Sequence, residues 1–206
     1  SPSPLTAGFG WSVRTGPPAT FGTGPAGDHT TGGGKYLYTE ASQGTTANNT
    51  LFITPCFKLD NLGNAAAEFY YHRFGTHMGN LRIDIDTGTG FTTGNGVIGA
   101  ALFVGQSQRS SLDPWKKGFL NLNPYLGKYV RLRFVGNKNN TATNDRGDMA
   151  IDDIKVFQPL VRDINMLEFS SPRNGFCTYT NQENVRIRVR TEGSQVLTKI
   201  PLAFSV

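Results

Sequence analysis

Apolar and polar residues alternate with a period of two along much of this chain. Leu81-Arg82-Ile83-Asp84-Ile85-Asp86 sets three aliphatic side chains on one side and three charged ones on the other. Tyr129-Val130-Arg131-Leu132-Arg133-Phe134-Val135 repeats the pattern. This period belongs to a half-buried strand. Shorter runs at 35–40, 49–53, 67–74 and 119–122 read the same way, and Val97 to Val104 reads as a more buried strand. Gly, Thr and Asn fill the intervals, as turns between strands require. Only Leu112 to Lys117 reads as briefly helical or turn-like. In the Gly/Pro/Thr-rich opening, Phe9, Trp11 and Phe21 read as anchors to a core. The expected fold is all-β: a jelly-roll-like β-sandwich of two antiparallel sheets.

The texture changes after Gln158-Pro159. Val185-Arg186-Ile187-Arg188-Val189-Arg190 alternates again, Gly193 offers a turn, and Ile200 to Val206 opens a further strand. Two domains are expected: a sandwich over 1–158 and a partial immunoglobulin-like β segment over 159–206. The second is too short to make a stable sandwich alone, so the chain reads as a piece of a larger protein.

Composition narrows the partners. The net charge of +5 and pI near 9.3 favour acidic ones. No Lys/Arg block of nucleic-acid type and no apolar run of membrane-spanning length occurs, so neither nucleic acid nor membrane insertion is expected. The two cysteines, Cys56 and Cys177, define neither a disulfide framework nor a zinc site. Cys56 reads as a small buried thiol.

Candidate chemistry sits in two places. In Gly147-Asp148-Met149-Ala150-Ile151-Asp152-Asp153-Ile154-Lys155-Val156, strict alternation puts Ile154 and Val156 on one face and Ile151 and Asp153 on the other. Adjacent carboxylates in a half-buried strand repel, and a hard cation such as calcium relieves them. A second acidic motif, Gly27-Asp28-His29-Thr30, lies far upstream. The candidate calcium ligands are Asp28, Thr30, Glu40, Asp152 and Asp153. The competing reading is a solvated strand end.

The other place is a basic face. Arg131, Arg133 and Arg82 project opposite the core and line one surface if their strands share a sheet. Tyr70, His72 and Phe74 alternate opposite Phe69 and Tyr71 and could add rings, with Arg73 a further cation. Guanidiniums bind sulfate or carboxylate bidentately, and rings give sugars a flat contact. The competing reading pairs the arginines with Asp84 and Asp86. These two aspartates as glycosidase carboxylates read instead as plain polar alternation. His29, His72 and His77 lack metal-ligand spacing, and no nucleophile elbow or phosphate loop is present. Catalysis is not expected.

The segments "TGPPATFGTGPAGDHTTGGGKYLYTEAS", "TPCFKL", "AEFYYHRFGTHMGNLRIDI" and "GDMAIDDIKV" follow in an order and spacing that resemble a MAM domain from about Gly8 to Phe157. Thr54-Pro55-Cys56-Phe57 resembles secreted bacterial forms, and the tail is similar to the start of bacterial adhesion-type Ig-like repeats. The resemblance implies an extracellular jelly-roll, adhesion and recognition, and a structural role for Asp28-His29-Thr30 and Asp152-Asp153. The family strand usually reads Tyr-His-Met-Tyr-Gly; here Arg73 and Phe74 follow Tyr71-His72 before Gly75. Taken together, the expectation is a non-catalytic carbohydrate-binding module of a secreted or cell-surface protein, for an acidic or sulfated polysaccharide. The alternative is a protein-protein adhesion or structural accessory module of a secreted enzyme such as a protease.

Overall fold

The computed structural model describes residues 9–43, 49–93, 102–138, 145–159, 164–171 and 185–191. The chain divides into two compact units, Ser1–Phe157 and Gln158–Val206.

The first unit is a sandwich of antiparallel strands. They are β1 (Trp11–Thr15), β2 (Lys35–Thr39), β3 (Asn49–Ile53), β4 (Phe57–Lys58), β5 (Ala66–Arg73), β6 (Asn80–Asp86), β7 (Phe91–Thr93), β8 (Leu102–Val104), β9 (Lys116–Asn121), β10 (Tyr129–Asn137) and β11 (Met149–Phe157). One sheet has the order β1-β2-β11-β5-β9. The other has the order β3-β10-β6-β7, with β4 on β10 and β8 on β6. Chain ends and middle interleave in both sheets, so local hairpins do not dictate this topology. The predicted helical stretch at 112–117 is a turn leading into β9; a short 3-10 helix at Asn123–Tyr125 stands between β9 and β10.

Alternation delivers the core. Leu81, Ile83 and Ile85 of β6 and Val130, Leu132 and Phe134 of β10 are buried against Phe69 and Tyr71 of β5, Leu120 of β9 and Met149 and Ile151 of β11. Packing is close: a Cβ on Gly118 would stand 2.3 Å from the Phe69 ring, so β9 reaches β5 there only with glycine. Trp11 is an anchor as expected, but Phe21 is 94% exposed at a loop tip. Most of Val97–Val104 lies outside the described residues, and its end, β8, exposes Leu102 and Val104 rather than burying them. Cys56 is exposed, not buried, because it follows Pro55 in a loop outside the sheets; Cys177 lies outside the described residues.

β11 departs from simple alternation. Its register with β5 runs Met149↔Arg73 to Asp152↔Tyr70 and resumes at Lys155↔Glu68, so one extra residue is inserted. Asp153 takes it up in the left-handed region, at φ +47°. The bulge shifts the parity of the strand. Met149 and Ile151 before it and Ile154 and Val156 after it all pack toward the same core. The expectation that Ile151 and Ile154 occupy opposite faces is thereby corrected.

In the second unit, β12 (Ile164–Ser171) pairs antiparallel with β13 (Arg186–Thr191) through an irregular register. Arg188 lies 3.8 Å from Glu168 on this ribbon.

Candidate functional site

The bulge is held by the loop between β1 and β2. The His29 amide donates to Asp152 at 3.0 Å, the Thr30 hydroxyl donates to Asp153 at 2.6 Å, and the His29 ring lies 2.7 Å from the same Asp153 oxygen. Asp28 folds this loop by accepting from the Thr31 amide and hydroxyl and the Gly34 amide. These bonds give the acidic motifs a structural explanation: one loop caps one bulge. The Thr31 amide and its neighbours hold Asp28 below the usual carboxylate range, and the Thr30 hydroxyl and His29 do so for Asp153. Burial moves Asp152 the other way. Four of the five proposed calcium ligands, Asp28, Thr30, Asp152 and Asp153, do meet, but Asp28, Thr30 and Asp152 spend their oxygens on hydrogen bonds, and one Asp153 oxygen takes both Thr30 and His29.

Glu40, the fifth, belongs elsewhere. Its carboxylate accepts from the Thr20 and Ser42 hydroxyls and is buried near Asp148. Asp148 is fully buried. One oxygen accepts from the Ala41 amide at 2.6 Å, and the other has no partner among the described residues. Burial, with Glu40 adding repulsion, pushes Asp148 up to about 7. Lys138 is also buried nearby and donates to the Gln43 carbonyl. An orphaned, buried carboxylate oxygen beside a second carboxylate suits a hard cation. Among the described residues no three His, Cys, Asp or Glu side chains form a metal cage, so backbone or hydroxyl oxygens would have to complete one. Sequence reasoning passed over Asp148, although it stands at the head of the same apolar run as Asp152.

Above the outer face of the first sheet lies a ring cluster. His29 stacks on Tyr70 at 3.5 Å between centroids, and Trp115 meets Tyr36 and His72 edge-on at 5.7 Å. His72 is fully buried beneath this cover, and burial pushes it down to about 4.

The second sheet carries the arginines. β6 and β10 are neighbours, so Arg82, Arg131 and Arg133 do share one outer face. Both carboxylates of that face are spoken for. Asp84 accepts from Arg82 at 2.7 Å and from Arg133 at 2.6 Å, and Asp86 accepts from Arg131. The aspartates are buried beneath the guanidiniums, and Phe91 lies under Arg133 at 4.3 Å. Burial pushes Asp84 up, but its two arginines outweigh that and hold it below its ordinary value. Three guanidiniums meet two carboxylates, which leaves the face with one net positive charge.

The structure does not bring the predicted rings to this face. Tyr70, His72, Arg73 and Phe74 belong to β5 and its end, in the other sheet. Arg73 points inward and is fully buried; it donates to the Gly79 carbonyl at 2.6 Å, and burial lowers it to about 10. Phe74 is half-buried, and its carbonyl accepts from Gly24 and Thr23. Of the predicted ligand residues, only Arg82, Arg131 and Arg133 therefore share one face; the expectation that Tyr70, His72, Arg73 and Phe74 join them is corrected. A two-residue period reveals which side of a strand a residue takes, not which sheet the strand joins.

The chain matches the MAM domain, meprin/A5/mu, over residues 3–159. It is 26% identical over 166 residues to Neuropilin-1a of Danio rerio, covering 81% of this chain and 16% of that protein. It is 36% identical over 148 residues to Thyroid hormone-induced protein B of Xenopus laevis, covering 72% of this chain and 20% of that protein. The chain thus spans a fifth or less of the length of these relatives. Among solved structures, it resembles the K1 cleaved adhesin domain of Lys-gingipain from Porphyromonas gingivalis W83, with 17% identity, a TM-score of 0.46, and coverage of 73% of this chain and 84% of that one.

Proposed function

The chain belongs to the MAM domain family, and from that premise we propose that it is a non-catalytic binding module of a secreted or cell-surface protein. Among the described residues no helix is long and apolar enough to cross a membrane. Asp84 and Asp86 are locked in ion pairs beneath arginines, so they cannot serve as a free acid-base pair.

We assign ligand binding to the outer face of the second sheet. The observation that carries this is the arginine lattice itself. Buried aspartates from one side and Phe91 from below hold the guanidiniums in place while their outer edges stay accessible. Such cations lose little freedom on binding. An acidic or sulfated polysaccharide suits their spare donors. The aspartates already use part of the charge, so each arginine contributes modestly, about 1–2 kcal/mol. Binding to chondroitin sulfate and carrageenan, with neutral agarose as control, tests this across a salt series. The expected result is affinity that falls with salt and is lost in the Arg131→Ala, Arg133→Ala double variant. Wild-type affinity in that variant overturns the proposal.

A protein partner is the second reading. Leu102 and Val104 lie opposite Arg82 and Asn80 in register, and Leu51 lies opposite Val135, so exposed aliphatic side chains flank the same lattice. Retention of a protein partner without any glycan binding would favour it.

A structural calcium ion belongs to the same proposal. Asp148 and Glu40 are the residues that fit it, and its role would be to satisfy the buried carboxylates and tie the Glu40 loop to β11. Chelation should then lower the melting temperature of the wild type but not of Asp148→Asn.

A further inference from the structure

β2 and β11 are joined by only two cross-strand pairs, Ala150↔Tyr38 and Ile151↔Leu37. β2 begins at Lys35, whereas β11 runs past the bulge to Phe157, paired with β5 on its other side. Beyond Asp152, β11 has one ladder instead of two among the described residues. Where the β2 ladder ends, a cavity of about 370 Å³ opens. Aliphatic Val13, Leu37, Ile151 and Ile154 and charged Lys35, Asp152 and Asp153 line it. Val13 shares the face of buried Trp11 yet is 59% exposed, so among the described residues nothing covers the inward side of the sheet at this corner.

We propose that this cleft is a peptide-docking site: an extended segment adds to the open edge of β11 beyond Lys35, seats an aliphatic side chain in the cavity, and directs a Lys or Arg toward Asp152 and Asp153. Three features favour this occupant. A strand with one free edge offers backbone donors and acceptors at the spacing that only another extended chain matches. The volume is enough for one or two aliphatic side chains against an apolar floor. The charged lining is acidic in a chain that is otherwise basic: Asp152 and Asp153 stand against Lys35, and Asp28 and His29 lie close by. An anionic glycan would meet these carboxylates, so this site is distinct in chemistry from the arginine face and lies on the other sheet.

The test uses the full chain and the peptide acetyl-Arg-Val-Thr-Val-Thr-Val-amide, followed by NMR titration. The expected shifts are confined to Val13, Lys35 to Leu37 and Ile151 to Phe157. Val13→Trp fills the cavity from an exposed position and should weaken binding at least about tenfold. Methylating alternate peptide nitrogens should abolish binding, because it removes ladder donors. Asp153→Asn keeps a side chain that tolerates positive φ and should weaken the Arg peptide about threefold while leaving a Thr-for-Arg peptide unchanged. If Val13→Trp fails to fold, the methylated and parent peptides compared on the wild type still decide. Equal binding of those two, or no binding at millimolar peptide, overturns the proposal. Concentration-dependent shifts at these residues without peptide would assign the cleft to a second copy of the chain and overturn it as well.

Discussion

On the outer face of the second sheet, the charged side chains of β6 and β10 satisfy one another. Arg82, Asp84 and Arg133 form one cross-strand group, and Arg131 with Asp86 forms a second. On the outer face of the first sheet, the polar groups are instead met from above. The 28–34 loop caps Asp152 and Asp153, and Trp115 covers His72. At one end of that sheet Asp148 is left with an oxygen that meets no partner among the described residues. Both faces grow from the same two-residue alternation. The difference is that a ladder of like-length strands can pair charges in register, whereas a bulged strand needs a loop to finish its hydrogen bonds. The first face is consequently the more sensitive to pH and ions, and the second is the more self-sufficient.

The strongest test of that contrast removes the hub of the lattice. Asp84→Asn leaves Arg82 and Arg133, both partly exposed, facing a neutral amide, and should cost about 2 kcal/mol in urea unfolding. Unchanged stability would show that the lattice does not hold the face together.

Asp148 should act in the opposite sense. Its folded pKa, about 7, lies above its ordinary 3.8 because of burial. The folded state therefore binds this proton more tightly than the unfolded state. Its contribution is fully present below the unfolded value and is lost as pH rises through about 7. In chelator at about pH 8, Asp148→Asn should raise stability by on the order of 2 kcal/mol, with the difference vanishing near pH 4. His72 provides the acid-side counterpart. Its folded value of about 4 lies below the ordinary 6.5, so its contribution is present above 6.5 and is lost as pH falls through about 4. NMR of the His72 ring should show it neutral down to about pH 5.

Smaller effects sharpen the picture. Thr30→Val keeps the shape of the capping loop but removes the donor to Asp153, and should cost about 1 kcal/mol by thermal unfolding. Glu68→Gln loosens Lys117 and Lys155 on the solvent side of the first sheet, and should shift stability by less than about 0.5 kcal/mol. A large effect there would mean that surface pairs, not the loop, secure that face.

The inward faces of β5, β6, β9 and β10 were legible because burial selects apolar residues at every second position, and nothing interrupts those strands. The shared face of Arg82, Arg131 and Arg133 followed from the same parity. Parity failed at Asp153, where one residue in the left-handed region turns the rest of β11 over. It also could not show that β5 lies in the opposite sheet from β6, which separates Tyr70 and His72 from the arginines; Arg73, with the parity of Phe69 and Tyr71, goes into the core beside them.

The sequence by itself determined the class of fold, the extent of the family match and the side of each regular strand, because these depend on local period and motif order. Tertiary structure alone decided which strands became neighbours, which carboxylates found donors, and that Glu40 sits beside Asp148 and not at the bulge. Those outcomes depend on contacts between residues far apart in the chain, from 45 positions for Arg131 with Asp86 to 107 for Ala41 with Asp148 and 123 for Thr30 with Asp153, and no local pattern encodes them.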